Sequence, residues 1–263
     1  MLLHDLPFGL LAVALGLALF AGMLVLLELG WRLGLGRVSK YGKDGLIGVG
    51  TVDTPVYGLL ALLVGFTFSG AAGRFDYRRE LVAREANAIG TAWIRIDALP
   101  PPLQPAIRAG LRDYVDALIA AYEIAPSFGT EPAEPAPIAR ARRRLWADAM
   151  AACLTADGDK ARMLLLPSLN EMFDLADADR LAGWIHPPLL IYVMLGVAAL
   201  ATGLFAGIAL ARAPTRNWVY MVGIAATVAI ALYVTIELEF PRRGLFHIDR
   251  MNRALVDVRA EMK

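Results

Sequence analysis

Four stretches of this chain are each long and apolar enough to cross a bilayer, and no other feature of the sequence constrains the fold as tightly. A helix of about 20 apolar residues spans the hydrocarbon core. Residues 7–27 carry no charge. Residues 45–73 carry only Asp53, and Pro55 is expected to break that stretch and leave 56–72 as the clean span. Residues 187–211 are uncharged over 25 positions and 217–236 over 20. In lipid, backbone amides and carbonyls must be satisfied within the segment, so spans of this length are helices. Charged residues are 19% of the chain, against about 25% in soluble domains. A net charge of +1 offers no field for a nucleic-acid partner. The single Cys153 excludes an intramolecular disulfide and a cysteine-cluster metal site. Residues 1–6 contain no Lys or Arg, so the first span reads as retained and not as a cleaved leader.

Four spans put both termini on one side of the membrane, together with residues 74–186. Nine arginines stand near the membrane on that side: Arg74, Arg78, Arg79, Arg84, Arg180, Arg242, Arg243, Arg250 and Arg253. Six cations, Arg32, Arg37, Lys40, Lys43, Arg212 and Arg216, stand on the other. The imbalance favours cytoplasmic termini. The expected division is spans one and two (1–73), a cytoplasmic helical region (74–186), spans three and four (187–240) and a cytoplasmic tail (241–263).

The region between spans two and three reads as helices. Val82, Ile89, Trp93 and Ile96 recur at helical spacing over 75–97, and no turn signal separates them from span two. One rod is therefore expected to continue out of the membrane until Pro100, Pro101 and Pro102 end it. A second helix over 104–124 places Ile107, Leu111, Val115, Leu118 and Tyr122 on one face. Further helices are expected over 138–154 and 161–184, with a turn at Asp157-Gly158-Asp159. The fold class is all-α: a four-span transmembrane bundle with a membrane-proximal helical layer.

Chemistry-bearing motifs are scarce. There is no phosphate-binding glycine loop, no nucleophile elbow and no histidine pair at metal spacing. His4, His186 and His247 read as interfacial polar residues, and Cys153 as a buried inert thiol. Asp174, Asp177 and Asp179 read as a solvated helix face. No enzyme activity, cofactor or metal is expected.

Span two carries the most information. Leu59, Leu62, Phe66, Ser69 and Gly73 fall on one helix face. Around an axis of identical helices that face makes an apolar constriction, the kind that gates ions by dewetting. The same spacing also suits a helix-packing seam, and Gly65, Ser69 and Gly73 form a small-residue ladder of the sort that lets helices approach. The two readings are compatible if the small residues face a neighbouring helix and Leu62 and Phe66 face a pore. Ala199, Gly203 and Gly207 form a second ladder, and Gly223, Thr227 and Ala231 a third.

The stretch Leu63-Val-Gly-Phe-Thr-Phe-Ser-Gly-Ala-Ala-Gly-Arg-Phe-Asp-Tyr-Arg-Arg-Glu80, followed by Glu85-Ala-Asn-Ala-Ile-Gly-Thr-Ala92, resembles the bestrophin-like family of bacterial membrane proteins. Leu169-Asn-Glu-Met172 and Pro241-Arg-Arg-Gly-Leu245 agree with it. The resemblance implies a relative of pentameric ion channels, many of them anion-conducting, with four spans, cytoplasmic termini and an apolar neck from the second span. It implies Leu62 and Phe66 as neck residues, with Leu59 and Ser69 on the same face. It implies a homo-oligomer in the bacterial inner membrane, with lipid and small inorganic ions as its partners. The double tryptophan of bestrophins is replaced here by Asp76 and Tyr77, and no acidic cluster resembles the calcium clasp of the animal proteins. Arg74 and Arg78 stand where they would raise anion concentration at the neck's mouth, or else form an interfacial belt paired with Asp76 and Glu80. Two other classes remain open. One is a non-conducting scaffold or sensor that binds a partner through its cytoplasmic helices. The other is a proton-driven motor subunit, for which Asp53 is the candidate ionisable residue.

Two structural motifs complete the reading. Glu85 with Asn87, Thr91 and Arg95 is expected to form a polar ladder hydrogen-bonded to a neighbouring helix. Pro241, Arg242, Arg243 and Gly244 are expected to form an exit turn, with the arginines pairing with Glu237, Glu239 or lipid phosphate and the tail lying along the helical layer.

Overall fold

The computed structural model describes residues 8–42, 49–122, 133–155, 158–213, 217–240 and 249–263. Among them every regular element is helical: α1 (Phe8–Tyr41), α2 (Val49–Arg95), α3 (Gln104–Tyr122), α4 (Ala136–Cys153), α5 (Asp159–Ala182), α6 (Leu189–Leu210), α7 (Trp218–Glu239) and α8 (Asp249–Glu261). A turn of 3-10 helix, Ile96–Ala98, follows α2 before the prolines. Four helices are long and apolar enough to cross a membrane: Gly9–Tyr41, Asp53–Ala98, Leu189–Leu210 and Trp218–Glu239. The all-α, four-span expectation holds.

Helix limits differ from the expectation in two places. The first helix runs past its uncharged stretch to Tyr41, with Arg32 paired to Glu28 one turn earlier at 2.7 Å. Gly42 then leaves the helix at φ 68°, a conformation that costs glycine little and other residues more. Pro55 does not break span two, because α2 starts at Val49 and carries Pro55 in its second turn. The ring forfeits one backbone bond in the second turn, and the helix continues through it.

The chain divides into two compact units. Unit 1 joins Met1–Phe75 to Pro187–His247. Its centre is the parallel pair α1 and α6, where small residues bring backbone against backbone. A Cβ added at Gly207 would lie 2.1 Å from the Leu27 carbonyl oxygen, and one at Gly30 would lie 2.1 Å from that of Leu204. Gly203 likewise faces Met23, and Gly34 faces Ala211. The Ala199–Gly203–Gly207 ladder therefore packs inside one chain. Met23, Leu27, Leu60, Leu195, Met221 and Leu232 fill the core around it. The Gly223–Thr227–Ala231 ladder does not pack this way: a Cβ at Gly223 would meet nothing within 4 Å. Gly223 and Thr227 instead line an outward groove of about 470 Å³ with Val219, Tyr220, Ile224 and Val228.

Unit 2 joins Asp76–His186 to Ile248–Lys263. The apolar faces anticipated on α2 and α3 form its core: Val82, Ile89, Ile96, Ile107, Leu111 and Val115 are buried, with Leu145 of α4 and Leu165 and Leu169 of α5. The ring of Tyr114 meets Phe173 edge-on at 5.2 Å. The C-terminal tail is a helix that docks on its own chain. Leu255 and Met262 are buried, Arg259 binds Asp116 through two bonds of 2.7 and 2.8 Å, and Arg112 donates to the Met262 carbonyl at 3.1 Å.

The two glycine ladders predict opposite responses. Gly207→Ala forces a methyl into the Leu27 backbone and should destabilise the fold by about 1–3 kcal/mol, the usual cost of overpacking. Gly223→Ala adds a methyl to open space and should leave stability unchanged or raise it by up to about 1 kcal/mol through helix propensity. Thermal unfolding in detergent compares them, and equal melting temperatures would contradict the assignment of the first ladder to the interior.

Candidate functional site

Helical geometry sorts the apolar stretch of α2 into two sides. On one, Leu60 and Ala71 are buried, and Tyr57, Leu63 and Val64 lean on the unit 1 core. On the other, Leu59 is 55% exposed, Leu62 53% and Phe66 68%, and Ser69 and Gly73 are exposed with them. Nothing in the described chain covers this seam: a Cβ at Gly58, Gly65 or Gly73 would meet no atom within 4 Å. The small residues Gly65 and Gly73 thus take no part in packing within the protomer. Thr67 turns its hydroxyl back to the carbonyls of Leu63 and Val64 at 2.8 and 3.0 Å, so it presents no free polar group.

The arginines after this seam are placed differently from the expectation. Arg74 is locked onto Glu239 at the end of α7: its Nε donates to both carboxylate oxygens at 3.0 Å and its Nη2 donates to one at 2.7 Å. The Glu239 side chain has no exposure, and that of Arg74 has 31%. Arg78 is buried as well. Both guanidiniums stand away from the Leu62–Phe66 side of the helix, so neither is presented at a mouth of that seam. Nor do they pair with Asp76 and Glu80, whose partners are Arg79 at 3.6 Å and Arg84 at 2.6 Å on the same helix.

In unit 2 the expected polar ladder divides. Glu85 is fully buried and accepts a hydrogen bond from the Tyr122 hydroxyl at 3.1 Å. That hydroxyl also reaches Asp179, which is buried on α5. Arg95 donates to the Leu164 carbonyl at 3.2 Å. Asn87, however, is exposed, and Thr91 bonds the Asn87 carbonyl of its own helix at 2.9 Å. Of the four, Glu85 and Arg95 reach neighbouring helices: Glu85 lies about 200° around the helix from Asn87, and the steps of four from Asn87 to Arg95 drift round a helix of 3.6 residues per turn. The aspartates of α5 also depart from the expected solvated face. Asp174 is exposed, but Asp177 binds Arg142 at 3.0 Å and Arg180 at 2.9 Å. Arg142 also donates to the Phe173 carbonyl at 3.2 Å. Burial, and next the charge of Glu85, push the Tyr114 hydroxyl beside this network well above the usual phenol range.

Tyr122 is the residue that sequence reasoning missed. It reads as one more apolar position on the α3 face, and only its place at the last turn of that face hinted that its hydroxyl could do separate work. Cys153 is buried, and burial pushes its thiol up, which keeps it protonated and unreactive. Pro241, Arg242, Arg243 and Gly244 lie outside the described residues, as do His4 and His247. Asp53 is buried in the opening turns of α2, away from the middle of the span. Among the described residues no group of three His, Cys, Asp or Glu could hold a metal ion.

Removing one side of the buried ion pair takes from the other its two-oxygen contact. Arg74→Met leaves the Glu239 carboxylate without its guanidinium and should cost about 3–5 kcal/mol, whereas Arg74→Met with Glu239→Leu should recover much of it. Thermal unfolding of the single and double variants reads the difference; equal losses would contradict a coupled pair. In unit 2 Tyr122→Phe should cost about 1–3 kcal/mol, while Asn87→Ala stays within about 0.5 kcal/mol. A larger effect at Asn87 than at Tyr122 in denaturant unfolding would reverse the assignment.

The model of the Bestrophin-like domain matches residues 48–252, which takes in α2 through α7 and the start of α8. Among solved structures, two single-residue variants of a bacterial Bestrophin homolog from Klebsiella pneumoniae superpose with TM-scores of 0.67 and 0.65, each 17% identical. The first alignment covers 93% of this chain and 98% of that one, the second 92% and 98%. At that identity the likeness is one of fold. No curated protein sequence matches. With a family model covering most of its length and the four-span helical fold in place, the chain belongs to the Bestrophin-like family.

Proposed function

We propose that the chain assembles as a homo-oligomer, a pentamer, that conducts small monovalent ions through a hydrophobic neck formed by α2, and that it acts as a channel and not as an enzyme. The observation that carries this reading is the uncovered apolar seam of α2, with Phe66 at 68% exposure as its most exposed bulky residue. A helix in a bundle normally buries its bulkier face, yet here Leu60 and Ala71 face the core and Phe66 faces away. Repeated around an axis, Leu62 and Phe66 narrow the path and expel water, so ions pass only by shedding hydration without replacement ligands. Resting conductance is then low, and discrimination among monovalent ions weak. The anion preference drawn from the resemblance loses its residue-level support, since Arg74 is tied to Glu239 and Arg78 is buried. The charges that follow on α2 come in pairs, Asp76 with Arg79 and Glu80 with Arg84, and leave little net field. We place the protein in the bacterial inner membrane with cytoplasmic termini, on the arginine excess of the terminus side.

Replacing Phe66 by Ala removes one ring from every copy, widening and wetting the neck. Ion flux into liposomes should rise well above wild type, with the size-exclusion profile unchanged. Leu60→Ala, on the packed side, should instead lower stability by about 2–5 kcal/mol without raising flux. A well-assembled Phe66→Ala protein with no more flux than empty liposomes would sink the neck assignment.

A further inference from the structure

The last turns of α1 carry a groove that the conduction reading does not use. Leu33, Gly36, Arg37, Lys40 and Tyr41 line it along one face of the helix, Ile208 of α6 closes it, and it holds about 310 Å³. Its chemistry is mixed in an ordered way. Arg37 and Lys40 sit one turn apart, both exposed, and among the described residues neither is in an ion pair. The contrast with Arg32 is direct, since Glu28 neutralises that residue on the same helix. Lys40 stands over the Tyr41 ring at 5.1 Å, a cation–π contact that leaves its charge available. The other walls, Leu33 and Ile208, are aliphatic, and Leu33 is 51% exposed. Gly36 makes the floor: a Cβ there would meet nothing within 4 Å, so the absence of a side chain keeps the groove open.

These features sit at the charged end of a membrane-spanning helix, just beyond its apolar stretch. We infer that this groove binds an anionic phospholipid, with its phosphate on Arg37 and Lys40 and its glycerol and upper acyl chain along Leu33 and Ile208. The charge pattern selects the occupant. Two unneutralised cations suit a phosphate, for which the planar guanidinium supplies paired donors and the ammonium a point charge. Aliphatic walls add nothing to the binding of a free anion but complement a chain attached to one, and an aromatic ring at this depth is the usual neighbour of a headgroup. Anionic lipid near a membrane surface gains measurably from each lysine or arginine it meets.

The test is native mass spectrometry of the detergent-purified protein after incubation with micelles containing phosphatidylglycerol or zwitterionic phosphatidylcholine. Wild type should retain phosphatidylglycerol several-fold more than phosphatidylcholine. Arg37→Gln with Lys40→Gln should lower that retention about tenfold or more, given the contribution of two charges. Gly36→Leu, which fills the groove, keeps both charges and strengthens helix propensity, should lower it comparably. Because the two variants perturb the site independently, a folding failure of one leaves the other to decide. Equal retention of the two lipids by wild type would overturn the proposal. So would undiminished phosphatidylglycerol retention in Gly36→Leu, which would reduce the effect to surface charge. Displacement of the lipid by millimolar inorganic phosphate would likewise overturn it, in favour of a bare anion site.

Discussion

The pairing of Arg74 with Glu239 fixes what the apolar part of α2 cannot fix by itself. From Val56 to Gly73 that helix is apolar or small on every side, so hydrophobic contact gives it little preference for one rotation over another. A buried carboxylate bound through both oxygens to a guanidinium has one good geometry, and turning the helix would break it. With Arg74 held at the end of α7, Leu60 and Ala71 face the core, and Leu62 and Phe66 are left outside it. The ion pair thus selects which apolar face of α2 the protomer keeps and which it offers to something else.

The rest of unit 1 is built for the opposite purpose. Where α1 meets α6, glycines on both helices remove the side chains that would hold the backbones apart, and the contact at Gly30 and Gly207 closes to carbonyl distance. Lipid is as apolar as leucine, so close packing of this kind carries much of the association between spans. Against that tightly closed pair, the open glycines of α2 stand out, because Gly58, Gly65 and Gly73 have room around them that the fold leaves unfilled. In unit 2 the organising contacts are polar. Glu85, Tyr122 and Asp179 link α2, α3 and α5, and Arg142 ties α4 to α5 through Asp177 and the Phe173 carbonyl.

Much of this was legible before any coordinates, and the reason differs from element to element. The spans are set by a length criterion that the bilayer imposes, and the helical core of unit 2 by a periodicity that Val82, Ile89, Ile107 and Leu111 follow closely. The exposed seam of α2 could be named as a face, but its exposure could not, since heptad spacing describes packed and open faces equally well. What escaped the sequence depends on contacts between residues far apart along the chain. Arg74 has nearer acids in Asp76 and Glu80, and only the fold brings Glu239 to it. Asp179 looks like its exposed neighbour Asp174 until Tyr122 is placed against it. Asn87 faces outward although Glu85 is buried, because a step of two residues rotates about 200° around the helix, and Arg95 comes inward because the steps of four from Asn87 drift. The docked α8 helix is likewise held by Asp116 and Arg112, residues far upstream.

The central claim is that the open side of α2 faces water and ions in the assembled protein, and not lipid. Cysteine accessibility separates the two. Ser69→Cys lies on the seam and Leu60→Cys on the packed side, while the native Cys153 is buried and supplies an unreactive background. In reconstituted liposomes, a charged, membrane-impermeant thiol reagent should modify Ser69→Cys and reduce ion flux through it, leaving Leu60→Cys untouched. A Ser69→Cys protein that reacts only with a lipophilic reagent, with its flux unaffected by the charged one, would put this face against the acyl chains and contradict the account.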